Sequence, residues 1–275
     1  MLPFLRFFMS NEVKITNYFD HAINEIEKTY GDVVSIKEKG KSLSKFGSRQ
    51  DVDQTSVFVW EVEGEDFETY LTDNLIDTVS SDDASNTQDI VIEGQTVDAD
   101  GDFTFVVQTA TLDGQNKVVL STPLARVTRS YNNGSIELAS SSSYYIYEDT
   151  AISGGVPTDT STIHMQVLEN SEQSRKAATT ISKDDYYLIR SWTCGVRRNT
   201  GTPEVDFSLE VRLKGKIFRT QKILSVGNTT IKVEFEPFFI IPPNSDIQVL
   251  AVSGLTNTSV SSSFDGVLAI IESNA

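Results

Sequence analysis

The 275-residue sequence predicts a mainly β protein on three observations. From Pro203 to Ile271 apolar and polar residues alternate. Phe207, Leu209, Val211 and Leu213 oppose Ser208, Glu210 and Arg212. Ile231, Val233 and Phe235 oppose Lys232, Glu234 and Glu236, and Ile247, Val249 and Ala251 continue the pattern. A period of two sends each set to its own face of a strand. Turn-forming residues divide the runs at short intervals, with Lys214-Gly215 in hairpin position. One stretch, Thr16 to Tyr30, carries the period of an amphipathic helix. The expected architecture is an N-terminal helix and basic arm (residues 1–50), a first antiparallel β-sandwich domain (51–150) and a second, jelly-roll-like one (151–275).

Taken in order, Met1 to Met9 is apolar but brief. Arg6 interrupts it and no small-residue cleavage site follows, so it does not read as a signal peptide. It reads as residues ahead of a start at Met9, or as an apolar arm for a neighbouring subunit. In the helix, Phe19, Ile23, Ile26 and Tyr30 fall on one face. Thr16 or Asn17 can cap its start and Gly31 can close its end. Lys37, Lys39, Lys41, Lys45 and Arg49 then make a basic, Gly- and Ser-rich segment with Glu38 as its one acid. It is expected to be a flexible connection, or an arm laid across an acidic neighbour.

Strands are expected at Ser56–Val62, Asp89–Glu93, Phe103–Thr111, Lys117–Ser121, Leu124–Tyr131 and Tyr144–Tyr147. Asp113-Gly114 and Asn133-Gly134 supply turns, and the Ser- and Asp-rich stretch Thr78–Thr87 reads as loop. Gly154, Gly155 and Pro157 mark a linker. Beyond it, eight strands are expected near Ile163–Leu168, Ala177–Ile181, Tyr186–Val196, Val205–Leu213, Lys216–Leu224, Thr229–Glu236, Ser245–Val252 and Ser262–Ile271.

Net charge is −16, from 39 acidic and 23 basic residues. Asp51 to Asp102 holds sixteen acids and no Lys or Arg, which leaves 23 acids against 23 bases elsewhere. Such a chain is poorly suited to nucleic acid or an anionic membrane, since phosphate contacts need cations. No apolar run reaches the roughly 20 residues of a membrane span. The acidic window is expected to be a solvated face, with a cation or basic-partner site as the alternative.

Chemistry is sparse. His21 and His164 sit in no nucleophile–base pattern. Cys194 lies on a strand face with Trp192 and Val196, as a buried structural thiol would. One cysteine and two distant histidines do not make a zinc site. Asp98, Asp100 and Asp102 lack the glycine and glutamate spacing of a calcium loop and read as a polar turn. No phosphate-cradling glycine motif is present. Tyr144, Tyr145 and Tyr147 are candidates for sugar stacking, with core packing the simpler role. No catalytic residue, metal or cofactor is expected, and the chain is read as not an enzyme.

The C-terminal stretch PPNSDIQVLAVSGLTNTSVSSSFDGVLAII resembles the end of a family of tailed-bacteriophage virion proteins of the marine-phage type. The resemblance rests on Pro242-Pro243, Asp246-Ile247, Asn257-Thr258-Ser259-Val260 and Phe264-Asp265-Gly266-Val267-Leu268. Tyr187–Cys194 and Val211–Gln221 look like the family's inward strands and hairpin. Gly47–Glu61 resembles the opening of its first β-domain, and VIEGQTVDADGDFTFVVQTATLDG with the following RVTRSY resembles an internal segment. The resemblance implies a structural protein on the virion, most simply a capsid decoration or cement protein on the head surface. Expected partners are the major capsid protein, other virion proteins and further copies of the chain, without nucleic acid or membrane. A tail, baseplate or fibre-adaptor component is the alternative, and a carbohydrate-binding fibre head a further one. The expected partner-binding residues are Phe19, Ile23, Ile26, Tyr30, Lys37, Lys39, Lys41, Lys45 and Arg49.

Overall fold

The computed structural model describes residues 34–62, 65–169, 171–198 and 201–273. The expected helix Thr16–Tyr30, with Phe19, Ile23, Ile26 and Tyr30, lies outside the described residues. What is described is mainly β and antiparallel, with one short 3-10 turn at Thr160–Thr162. The first six strands are β1 (Val34–Val52), β2 (Val57–Phe58), β3 (Ile76–Ser81), β4 (Asp89–Val97), β5 (Phe103–Thr111) and β6 (Val118–Leu124). Then come β7 (Arg126–Asn132), β8 (Ser143–Glu148), β9 (Ile152–Ser153), β10 (Val156–Pro157), β11 (Ile163–Leu168) and β12 (Ala178–Thr180). The last six are β13 (Asp185–Arg197), β14 (Val205–Leu213), β15 (Arg219–Val226), β16 (Thr230–Ile241), β17 (Ser245–Ser253) and β18 (Thr258–Ser273).

A four-stranded sheet, β1-β18-β13-β16, faces a five-stranded one, β12-β17-β14-β15 with the short β2 also paired to β17. The alternation that opened the sequence analysis explains their core. Phe207, Leu209 and Val211 of β14 meet Tyr187, Ile189, Trp192 and Cys194 of β13 and Phe264 of β18. Numbered 1 to 8 in chain order from β1 and then β12 onward, the strands read 1-8-3-6 and 2-7-4-5 across the two sheets, which is the jelly-roll order.

The intervening chain builds a second pair of sheets, β11-β8-β3-β6 and β5-β4-β7. Between them lie Ile76, Val79, Ile90, Ile92, Val127, Tyr144, Ile146 and Val167. This sandwich is therefore inserted into the first connection of the jelly roll. Ser56–Val62, expected in the first domain, runs beside the jelly roll instead. β2 pairs with β17, and Trp60 bridges Lys176. Its two faces serve different cores: Val57 and Val59 enter the jelly roll, while Phe58, Trp60 and Val62 join Tyr145, Tyr147 and Ile163 in a third cluster. β11, expected to open the second domain, pairs with β8 in the inserted sandwich.

Two further expectations are corrected. The basic segment through Lys37, Lys39, Lys41, Lys45 and Arg49 is not a flexible connection but most of β1. It pairs with β18 from Val34↔Ser273 to Val52↔Thr258, through three register shifts. Its Ser and Gly content misleads because the partner strand is equally small-sided at Ser261, Ser262 and Ser263 and the backbones close without bulk. At Gly47 a Cβ would stand 2.3 Å from Ala177 N. Thr78–Thr87, read as loop, begins inside β3, where Thr78, Ser80 and Ser81 are buried. Buried hydroxyls need partners, and these have them: Ser80 Oγ donates to Gly155 O at 2.7 Å and Ser81 Oγ to Ser143 O at 2.8 Å.

Candidate functional site: a cleft between the two sandwiches

A cleft of about 860 Å³ separates the jelly-roll edge from the outer face of the β5-β4-β7 sheet. One wall is β1 from Lys41 to Phe46 with Leu268 of β18. The other carries Glu93 and Gln95 of β4, Phe105 of β5, and Thr128 and Arg129 of β7. Residues 173–185 form the base. Strand alternation sets the second wall. On β4, Ile90 and Ile92 turn into the sandwich, so Glu93 and Gln95 are left to line the opening.

Charged and polar side chains tie the sandwiches together at the cleft. Lys45 Nζ donates to Thr128 O at 3.1 Å, and Gln95 Nε2 to Thr180 O at 2.8 Å. Beneath them Lys176 is fully inside. It donates to Val127 O at 2.9 Å and to His164 O at 3.2 Å, pairs with the Glu68 carboxylate, and faces the Trp60 ring. Burial opposes charge on both partners. The Lys176 ammonium titrates below its ordinary range because of it, while the Glu68 carboxyl, in spite of it, is held below the usual range by Lys176 and His164. His164 Nε2 lies 3.1 Å from Glu148 Oε1. Next to this chain, Asp246 accepts from Arg126 Nε at 3.0 Å, Arg212 at 2.6 Å and Thr180 Oγ1 at 2.6 Å. Arg126 and Arg212 also stack on Tyr70 at 5.0 and 4.5 Å.

Among the expected partner-binding residues, the structure brings Lys41 and Lys45 to this cleft and places Arg49 elsewhere. Lys45 is 5% exposed and is directed into the cleft rather than to the outer surface. Burial brings its ammonium down to about 8 from the ordinary 10.5. Arg49 donates to Glu65 O at 2.7 Å and Asp66 at 2.6 Å, both in its own chain. Lys45 is thus not available as part of a surface arm. The opposite charge blocks meet, at Arg49, within one subunit.

The remaining candidates settle as follows. Cys194 is buried in the jelly-roll core, and burial pushes its thiol up to about 12, far from a nucleophile's range. The Asp98 carboxylate accepts from the amides of Asp100 at 3.0 Å and Asp102 at 2.9 Å, closing the β4–β5 hairpin as a polar turn. Tyr144, Tyr145 and Tyr147 are all buried and present no sugar-stacking face. His164 is packed between two carboxylates, with Nδ1 3.7 Å from Glu68 Oε1 and Nε2 3.1 Å from Glu148 Oε1. Among the described residues no cluster of three or more His, Cys, Asp or Glu is placed to hold a metal. The sequence reading missed Gln95, Phe105 and Lys176. The signal for them was weak: polar residues on an outer strand face look the same whether they meet water or a second lobe.

No protein-family model matches the chain, and no curated protein matches it. Among solved structures, the infectious bursal disease virus Gx strain aligns at TM-score 0.24 and 11% identity, covering 89% of this chain and 75% of that one. The STIV MCP aligns at TM-score 0.23 and 9% identity, over 84% and 97%. The CBM22-1-CBM22-2 tandem domain of Paenibacillus barcinonensis Xyn10C aligns at TM-score 0.22 and 11% identity, over 86% and 99%. Similarities this weak carry no functional argument.

Proposed function

We propose that this chain is a structural component of a bacteriophage virion, acting through protein–protein contacts as a decoration or cement protein on the head. Fold alone does not give function, and the support comes from three sides. The C-terminal motifs resemble virion proteins of tailed phages. The jelly roll with an inserted sandwich is held together by packing and buried ion pairs, as a contact-making structural protein requires. The observation that carries most is an apolar edge. At the β14–β15 hairpin and along β15, Leu213, Ile217 and Ile223 are 46%, 76% and 66% exposed, and a groove of about 260 Å³ opens beside Leu213 and Ile217 against Phe239 and Ile240 of β16. Exposed apolar side chains along one edge mark contact surfaces, and β15, which ends its sheet among the described residues, offers backbone groups to a neighbour.

The expected partners are the major capsid protein and further copies of the chain. The stripe Phe19, Ile23, Ile26 and Tyr30 is proposed as a second contact. A tail, baseplate or fibre-adaptor position uses the same physics and is the alternative. Cryo-EM of the parent particle separates them: density for this fold over the capsid lattice supports decoration, density confined to the tail supports the alternative, and absence from the particle rejects both. The edge is tested by replacing Ile217 and Ile223 together with Asp. The variant is expected to keep the wild-type circular dichroism and lose at least about tenfold in self-association or particle binding. Unchanged binding would remove this edge as the contact.

A further inference from the structure

Two buried polar groups in the cleft have bonding capacity to spare. Gln95 is 2% exposed. Its Nε2 donates to the Thr180 carbonyl, which fixes which end of the amide is which. That leaves Oε1, buried and without a partner. A buried acceptor left unpaired costs stability, and native structures keep few of them. Lys45 has three N–H groups, and among the described residues its hydrogen bond is the one to Thr128 O.

The charges around the opening balance. Lys176 is matched internally by Glu68. The other lining cations, Lys41, Lys45 and Arg129, face as many carboxylates, in Glu93, Asp184 and Asp185. Nothing in that set selects a strongly charged ligand. Two phenyl rings, Phe46 and Phe105, stand at the walls 46% and 48% exposed. A ligand that satisfies a free acceptor, free donors and apolar ring faces at once carries hydroxyls on one edge and C–H groups on its faces. A pyranose does this, and 860 Å³ is in the range of small-molecule sites and has room for several rings.

We propose that this cleft binds a short neutral oligosaccharide, with Gln95 Oε1 accepting from one sugar hydroxyl, Lys45 donating to another, and Phe46 and Phe105 covering pyranose faces. The inference needs only the cleft and stands whether the protein sits on a head, on a tail or on neither.

The test uses the full chain and a panel of neutral hexaoses of glucose, xylose, mannose and galactose in α and β linkage. Saturation-transfer NMR detects binding and calorimetry measures it. At least one hexaose is expected to bind with a Kd below about 1 mM. Phe105→Ala, at a half-exposed site, keeps the fold and is expected to weaken that binding at least about tenfold. Gln95→Leu is expected to do the same, and Phe46→Ala replaces it should it fail to fold. Phe67→Ala changes an exposed ring that does not line the cleft and is expected to bind as wild type does. No binding by any hexaose, or equal losses in Phe105→Ala and Phe67→Ala, overturns the proposal.

Discussion

Lys45 shows at the level of one residue how a sequence signal can invert. In a run of five cations it looks like a solvated charge. In the fold it is the inward member of β1 with Leu43 and Gly47, and burial holds its ammonium at about 8 against the ordinary 10.5. The sign of the consequence follows from proton counting. Between pH 8 and 10.5 the unfolded chain still holds the proton that the folded chain has released. Stability from this group therefore rises with pH through that window, and its full cost is felt below it. Lys45→Met is expected to raise stability at pH 7, by up to about 3 kcal/mol less the lost hydrogen bond. It is also expected to flatten the difference between pH 8 and 10.5. Urea unfolding of both proteins across that range measures it, and a variant less stable than wild type at pH 7 would contradict it.

Among elements, the β9–β10 hairpin and β3 show why polar segments can be core. Gly155 sits at φ 79, a conformation L side chains rarely adopt, and a Cβ there would fall 1.7 Å from Ser81 O. The Ser80 hydroxyl reaches the same glycine's carbonyl. A linker reading of Gly154 and Gly155 notes their flexibility and misses this contact. Gly155→Ala is expected to cost more than about 2 kcal/mol, from both strain and displacement of β3. Guanidinium unfolding reads it directly. Gly154→Ala supplies the comparison, since Gly154 shares positive φ at 57 but a Cβ there meets nothing nearer than Gln115 Nε2 at 3.8 Å. Equal losses in the two would mean the approach to Ser81 is of no consequence. Elements with clean alternation were legible: β5, β11 and β14 have the bounds the sequence predicted. β1 and β3 were not, because Lys45 and Gly47 of β1 and Thr78, Ser80 and Ser81 of β3 are buried beside their apolar residues, and what makes those acceptable inside is a partner from a distant part of the chain.

Across the whole molecule, the two sandwiches are joined by buried charge as well as by packing. Asp246 of the jelly roll holds Arg126 of the insert, Lys45 crosses to Thr128, and Phe58 and Trp60 share a cluster with Tyr145 and Tyr147. Removing one member of a buried ion pair leaves the others uncompensated and costs about 3–5 kcal/mol. The wild type is therefore expected to melt in one calorimetric transition. Asp246→Ala is expected to lower that transition by several degrees or more, or to split it into two as the insert parts from the jelly roll. Two separate transitions in the wild type would show that the interface does not couple the sandwiches.

The sequence by itself determined the mainly β, antiparallel class, most strand positions and the structural character of Cys194 and the Asp98 turn. These follow from local rules: side-chain period, turn chemistry and the absence of a base beside a nucleophile. The tertiary structure alone decided where the chain divides. It drew the basic segment into the jelly roll as its first strand, so the inserted sandwich begins and ends inside what looked like a linear series of domains. It also made the cleft, because Gln95, Lys45 and Phe105 lie on strands that no local rule relates. Strand pairing across more than two hundred residues, from Val34 to Ser273, is a property of closure of the whole chain. The pattern within either strand does not encode it.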